Sequence, residues 1–514
     1  MSDSDAVPNP PPGQIAELYA RFTRPGVELG PGPAVKASML ERFIKSPITI
    51  WCDLHVDDRH RDPPDAYQEL LFKRGNQHQV DVTNELFGTS VSEPFRTEEE
   101  GFIRVLQLMS LGAEAIGDMP VLCRPLGLEG RPDIVRRVSG QPSVFGDHAY
   151  EIVEIKSARN IKRHHILQAA LYNLILGEVQ GVEPAEFHVV NGDTEMSTYA
   201  AAHYADDLAA TIAGLRKTLS GAPVPLVYGG ALWPWEGHVD GLAVKVGDAS
   251  IVPGVGASTR DRLGEIGLLT VDDVAAADPE LLKTVKGIGA SKAARLGSSA
   301  QAIRSGEVVH RAPVTQMRLG ATEVFIDLEG STPELSEDGI ATVNYLIGCL
   351  VREPEGVVSS DRFVPFFADR PDNEAANTRA FFAWAADLPD PVFYHWHNYE
   401  RTHLTKMAEG FSVPYDRSGF VFDRMVDLSP LTTNAFAFPT HGEGLKDIAR
   451  HLGFEWRQDD VNALASVALY SQWVESEATN SAAKQKILDY NEDDCRATMV
   501  VCDWLRTRHA RHAG

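Results

Sequence analysis

Two stretches of the chain repeat each other: "PGVGASTRDRL" (253–263) and "KGIGASKAARL" (286–296). They agree at Gly254/Gly287, Gly256/Gly289, Ala257/Ala290, Ser258/Ser291, Arg262/Arg295 and Leu263/Leu296. Each copy reads as a Gly-x-Gly turn that opens a helix, and "LGEIGLLTVDDVAAADPELLKTV" between them supplies two more helical stretches. The free N–H groups and positive dipole end at each helix start suit a phosphate. The plainer reading of the same residues is a helical spacer with glycine turns.

At 514 residues the chain exceeds one ordinary core, and usual domain sizes suggest about three units. Its formal charge of −24 argues against a protein that coats nucleic acid by bulk attraction. That charge leaves room for a nucleic-acid enzyme, because carboxylates that bind metal are acidic and their ions offset them locally. Residues 251–300 carry six basic and six acidic side chains, so the repeat is neutral inside an acidic chain. No apolar run reaches the roughly 18 residues that span a bilayer, so no membrane partner is expected. "MSDSDAVPNPPPG" lacks the basic and apolar parts of a signal peptide, and residues 1–13 read as a disordered tail. The five cysteines are scattered without a CxxC pair, which fits a reducing cytoplasm. No GxxxxGK[ST] loop occurs, so no nucleotide cofactor is expected.

Pattern divides the remainder. Residues 14–225 mix apolar helices with short strands, and the Pro- and Gly-rich stretch around 226–245 reads as a linker. Trp233 and Trp235 in it suit packing against a domain better than stacking on bases. Residues 246–310 hold the repeat, and 318–514 alternate strand-like and helix-like stretches as in an α/β domain. The repeat resembles a tandem helix-hairpin-helix domain, an all-α module that grips the DNA backbone without reading sequence. The resemblance makes Gly254, Gly256, Gly287 and Gly289 candidate nucleic-acid contacts.

In "AYEIVEIKSAR" (149–159), an apolar strand ends with Glu154 and Lys156 on one face. Alone, that is as consistent with a surface ion pair as with half of a nuclease site. Asp133 begins the preceding strand, Gln168 and Tyr172 share one face of the following helix, and His78 follows Gly75 in a helix upstream. Together these residues resemble the RecB-like branch of the PD-(D/E)XK nucleases: a GxxxH-like helix, Asp, (D/E)xK and QxxxY. "ASMLERFIKSP" (37–47) resembles the family's opening SxLxxFxxCP segment, with Ser46 where some members carry a cluster-binding cysteine. No iron–sulfur cluster is therefore expected. The resemblance implies Asp133, Glu154 and His78 as ligands of Mg²⁺ or Mn²⁺, with Lys156 orienting water or stabilising phosphate charge. Gln168 and Tyr172 would support the site or touch the nucleic acid. His164 and His165 begin the same helix, but without a third ligand type at suitable spacing they are not read as a metal site.

"TEVFIDLEGS" places Asp327 and Glu329 on one face of an apolar strand, a costly arrangement unless a cation lies between them. "DPVFYHWHNYERTHL" runs from a strand into a helix with Glu400, and "KILDYNEDDCRATMVVCDWL" is a helix with Tyr490 and Asp494 four apart. This set resembles the tyrosine-bearing DEDD exonucleases of the ribonuclease H-like superfamily, over roughly residues 320–508. The resemblance implies Asp327, Glu329, Glu400 and Asp494 holding two Mg²⁺ or Mn²⁺ ions about 4 Å apart, with Tyr490 positioning water. Two departures weigh on activity more than on fold: Glu400 stands where most members have Asp, and Trp396 replaces an Asn. Asp493 competes with Asp494, and the spacing from Tyr490 favours Asp494.

The whole order resembles a RecB-like nuclease family with all three parts. It implies a cytoplasmic, metal-dependent nuclease acting on single- or double-stranded DNA in repair, recombination or defence. A separate helicase is the implied partner, since some relatives of this architecture are joined to one. RNA cleavage, and an adaptor with decayed sites that recruits a partner, are the alternatives.

Overall fold

The computed structural model describes residues 13–24, 33–88, 90–314, 317–331, 343–352, 361–458 and 461–512. The expected tail, residues 1–13, lies outside them except for Gly13.

Among the N-terminal residues, five strands form a sheet in chain order: Ala115–Gly117, Ile134–Ser143, Gly146–Ile155, Glu186–Val190 and Met196–Ala200. Only the third and fourth are parallel. A parallel pair needs a crossover, and the helix Arg163–Gln180 supplies it. That helix is buried nearly all round, with Leu167, Leu171 and Ile175 in one core with Phe102, Ile152 and Phe187. The 22-residue helix Ala66–Phe87 starts at Asp65, whose carboxylate accepts the Gln68 N–H at 2.8 Å. Ser46 caps the helix Pro47–His55 and donates to the Gly230 carbonyl at 2.6 Å.

Residues 226–245, expected as a linker, are packed structure. Trp235 is 0% exposed among Ile48, Cys52 and Val239, and its indole N–H reaches Asp53 Oδ1 at 2.8 Å. The helix Glu236–Val246 follows directly, and Leu226 and Tyr228 lie against the core of the hairpin repeat. Pro and Gly ended the periodicity here, but the burial of large aromatic side chains decided the structure.

The two copies of the repeat fold alike. Val255 N–H bonds the Val252 carbonyl and Ile288 N–H the Val285 carbonyl, both at 3.0 Å. Gly254 (φ +90°) and Gly287 (φ +87°) occupy the third position of these turns, where a positive φ calls for glycine. The helices Ala257–Glu265 and Ala290–Ser305 begin just after Gly256 and Gly289. Leu263, Val274, Leu282 and Leu296 close their common core.

The C-terminal sheet has the order Arg362–Phe367, Val343–Arg352, Thr322–Ser331, Pro391–His395, Met425–Asp427. The first three strands are antiparallel and the last two join in parallel. Its strands alternate between two cores: Phe325 and Tyr394 face one, Val324, Ile326 and Phe393 the other. The 32-residue helix Ser481–His512 covers the Phe325 face. The same alternation turns Asp327 and Glu329 toward that helix.

Contacts among the described residues tie the regions together. Val309–His310, just past the repeat, pairs antiparallel with Phe436–Ala437. Tyr67 and Leu70 of the Ala66–Phe87 helix pack on Val467 and Ala468 of the helix Ala463–Glu475.

Candidate active sites

At the N-terminal centre the sheet brings strand ends together. Asp133 immediately precedes one strand, and its Oδ2 accepts the Ile155 N–H of the next at 2.6 Å. Gln79, from the long helix, donates to Asp133 Oδ1 at 2.7 Å. Lys156 Nζ lies 3.0 Å from Glu154 Oε1 and donates to Gln168 Oε1 at 2.8 Å. Gln168 in turn donates to the Tyr172 hydroxyl at 3.2 Å. Gln168 and Tyr172 are both buried, so of the two roles expected of them the geometry fits support of Lys156, with their polar groups spent inside the chain. His78 shares a cavity of about 240 Å³ with Lys156, Ile155, Gln79, Glu41 and His165.

Burial, then the neighbouring Glu154, pushes the Asp133 carboxyl well above the usual carboxylate range. Burial pulls the Lys156 ammonium down, but Glu154 and Asp133 outweigh it and its pKa stands above the ordinary value. Lys156 is thus a fixed cation at neutral pH.

Sequence reading found no third ligand for His164 and His165, and the tertiary structure brings one. Glu41, on the helix Ala37–Lys45, has a carboxylate oxygen within 4.8 Å of a ring nitrogen of each. Lys45 Nζ already holds Glu41 at 2.9 Å, and His165 Nδ1 accepts the Lys162 N–H at 3.2 Å. Burial, His164 and Lys156 push the His165 imidazole down to about 4. Glu41 Oε1 and His165 Nδ1 are thus already engaged, and Lys45 and Lys156 lie beside the cluster.

At the C-terminal centre, ligand oxygens of Asp327, Glu329 and Asp494 lie within 4.8 Å of one another. Asn491 Nδ2 donates to Asp327 Oδ2 at 2.6 Å. Gly348, opposite Asp327 in the sheet, makes room for that amide; a Cβ there would run into Asn491 Oδ1. Trp456 Nε1 donates to Asp494 Oδ1 at 2.7 Å. Asp493 is instead taken by Arg457, through its N–H and Nε, both at 2.8 Å. Asp494, the carboxylate favoured by spacing, is therefore the one at the cluster. Glu400 is buried at the start of the helix Tyr399–Gly410, with His395 Nδ1 at 3.4 Å from its Oε2. Asp427, at the end of the neighbouring strand, accepts the His397 N–H at 3.0 Å.

Burial comes first in raising Asp327, Glu329 and Glu400, with Asp494 adding to it at each and Asp427 at Glu400. Burial also pushes Asp494 up to about 6, against the opposing Trp456 bond and the Lys446 charge. Tyr490 hydrogen-bonds Asp494, and burial beside these acids keeps its phenol protonated. Sequence reading missed Gln79, Glu41, Asp427, Lys446, Trp456 and Asn491. Of these, Asn491 and Gln79 had a local signal: they directly follow Tyr490 and His78 on the same helices.

The Asp327–Glu329–Asp494 cluster fits a divalent cation, whereas among the described residues Asp133, Glu154 and His78 do not bring three ligand atoms within 4.8 Å of one another. Among the described residues, Glu154 Oε2 and Glu400 Oε2 are buried without a hydrogen-bond partner, and the crowding of Asp327, Glu329, Glu400 and Asp494 disfavours their ionisation until a cation enters. The donors are hard oxygens, as Mg²⁺ and Mn²⁺ prefer.

Residues 324–506 match a family model described as the RNase H superfamily, and residues 249–302 match one described as a SAM-like helix-hairpin-helix tandem. The chain therefore contains an RNase H superfamily domain and a tandem helix-hairpin-helix, which together suggest a nucleic-acid-binding nuclease. No curated protein matches the chain. No helix among the described residues is long and apolar enough to cross a membrane.

Proposed function

We propose that the chain is a metal-dependent nuclease that hydrolyses DNA, with two cutting centres joined by the hairpin module. The observation that carries this reading is the Asp327–Glu329–Asp494 cluster, in the segment similar to the RNase H superfamily. In this reading the domains run 14–225, 246–310 and 318–514, and the first is a RecB-like PD-(D/E)XK nuclease. Asp133, Glu154 and His78 would hold one divalent ion, and Asp327, Glu329, Glu400 and Asp494 two. Bound there, Mg²⁺ or Mn²⁺ supplies Lewis acidity and nucleophilic water near neutral pH.

The side chains do the rest. Lys156, held by Glu154 and Gln168, stabilises charge that develops on the phosphate. Tyr490 stays a neutral phenol whose O–H bonds Asp494, so it orients water through its oxygen lone pairs and does not act as a base. Gly254, Gly256, Gly287 and Gly289 let the phosphodiester backbone approach the two helix starts. DNA repair, recombination or defence in the cytoplasm, beside a separate helicase, is the setting that suits this architecture.

A second reading, a nucleic-acid-binding adaptor with a decayed centre, is favoured by one contact. Glu400, longer than the usual Asp, lies against His395. Purified protein incubated with labelled single- and double-stranded DNA and RNA, with Mn²⁺ or with EDTA, separates the two. Metal-dependent cleavage of DNA is expected, and Lys156→Ala and Asp327→Ala assign it to a centre. Cleavage of RNA alone would replace the DNA substrate, and no cleavage of any polymer would leave the adaptor.

A further inference from the structure

The two copies of the repeat use their equivalent arginines differently. Arg262 donates to the Lys286 carbonyl and joins hairpin to hairpin. Arg295 leaves the repeat, donating to Asn434 Oδ1 at 2.8 Å and Glu443 Oε2 at 2.7 Å. Arg311, its side chain 8% exposed, donates to the other oxygen, Glu443 Oε1, at 3.0 Å. One carboxylate is gripped by two arginines from the hairpin side.

Glu443 stands in a tight turn. Asp447 Oδ2 accepts the Gly444 N–H at 3.2 Å, and a Cβ at Gly442 would run into the same carboxylate. The turn leads straight into the helix Leu445–His451, whose second residue is Lys446. Lys446 Nζ lies 4.5 Å from the centroid of the Tyr490 ring and 5.8 Å from that of Trp456. Both of those side chains bond Asp494. The ammonium donates to the Val461 carbonyl at 3.2 Å, its single hydrogen-bond acceptor among the described residues, and an ammonium has three N–H groups to give. Cations held by the carboxylates would repel this ammonium, so the partner that suits its remaining donors is an anion bound over the centre.

We propose that Lys446 donates to a phosphate oxygen of the nucleic-acid strand at the carboxylate centre, held in place by the Arg295–Glu443–Arg311 clasp. This rests on the nuclease reading of that centre. The hairpin module then does more than grip the backbone, because it also positions a substrate-contacting lysine in the neighbouring domain.

The test uses the full chain and its Lys446→Met, Lys446→Arg and Glu443→Gln variants. Binding of a short labelled oligodeoxynucleotide is followed by anisotropy in Ca²⁺ across a salt series, and Mn²⁺ binding is titrated without nucleic acid. Loss of one phosphate contact should lower the salt slope by about 0.7 to 0.9 and weaken binding several-fold at low salt. Lys446→Met should bind Mn²⁺ as tightly as the parent or tighter, because a like charge beside the carboxylates is gone. Lys446→Arg should restore the slope, and Glu443→Gln should lose part of it. An unchanged slope in Lys446→Met, or weaker Mn²⁺ binding with the slope kept, would overturn the proposal and make the lysine a support for the carboxylates. Cleavage is measured in parallel with Asp327→Asn made in a Lys156→Ala background, so that the other proposed centre is silent. If that variant cuts normally, the nuclease reading of this centre fails, while the slope in Ca²⁺ still decides whether Lys446 meets a phosphate.

Discussion

The indole N–H of Trp456 bonds Asp494 Oδ1 at 2.7 Å, and the adjacent Arg457 takes up Asp493. Two neighbouring aspartates are thereby sorted, one to the carboxylate cluster and one to an ion pair. Trp456→Phe removes the donor and keeps most of the ring. A bond to a buried charged group is worth about 1.5–3 kcal/mol, so Mn²⁺ binding should change with little loss of fold. Calorimetric titration of Mn²⁺ against the parent and this variant checks it, and equal affinities would count against a role for the indole.

Stability of the metal-free protein should depend on pH in the sense set by raised carboxyls. The fold favours protonated Asp494, whose pKa is pushed up to about 6 from an ordinary value of 3.8. Its stabilising contribution is complete below that ordinary value and is lost as pH rises through about 6. Asp327, Glu329 and Glu400 shift in the same direction. Thermal melts should therefore fall as pH rises from 5 to 8 in EDTA, with a Mn²⁺-induced gain that grows over the same range.

Gly348→Ala puts a methyl group where Asn491 holds Asp327. Either the amide moves or the strand pair opens, and overpacking of this kind costs about 1–3 kcal/mol. Cleavage assigned to the C-terminal centre should fall by at least tenfold, while cleavage from the Lys156 centre persists. Circular dichroism melts and single-turnover assays read the two effects separately.

Lys156→Ala leaves Glu154, 2% exposed, without its cation. Breaking one side of a buried pair costs about 3–5 kcal/mol. Urea unfolding in EDTA at pH 8 should show the loss. A variant as stable as the parent at pH 8 would mean that the pair is not buried in solution.

The repeat glycines divide into two kinds. Gly254 and Gly287 have positive φ, so alanine at either should cost about 1 kcal/mol or more in strain. Gly256 and Gly289 have ordinary φ near −85° and open space around a would-be Cβ. Alanine at these two should leave the melting temperature near that of the parent but weaken DNA binding where the backbone approaches. Melts and anisotropy on the four variants distinguish strain from contact.

Much of this protein was legible from short-range pattern. The duplicated turn, the Asp327/Glu329 and Glu154/Lys156 spacing on strands, and the i, i+4 pairs Gln168/Tyr172 and Tyr490/Asp494 all follow from periods of 2 and 3.6 residues. The packed stretch at 226–245, where Trp235 buries against a domain as expected, shows the limit of that logic, because Pro and Gly interrupt periodicity whether or not the segment packs. Trp235 is buried by Ile48 and Cys52, which no local window contains.

What only the tertiary structure decided is which distant groups meet these elements. Asn491 and Asp327 are 164 positions apart, and sheet order together with the packing of the Ser481–His512 helix brings them to 2.6 Å. The choice of Asp494 over Asp493 was suggested by helical spacing, but Trp456 and Arg457 from another segment enforce it. Glu41 beside His164 and His165, and Lys446 beside Tyr490, left no trace in their own neighbourhoods. Sequence alone determined which carboxylates share a face, since backbone geometry sets side-chain direction within an element. The partners that tune those carboxylates depend on how elements pack, and packing is a property of the whole chain.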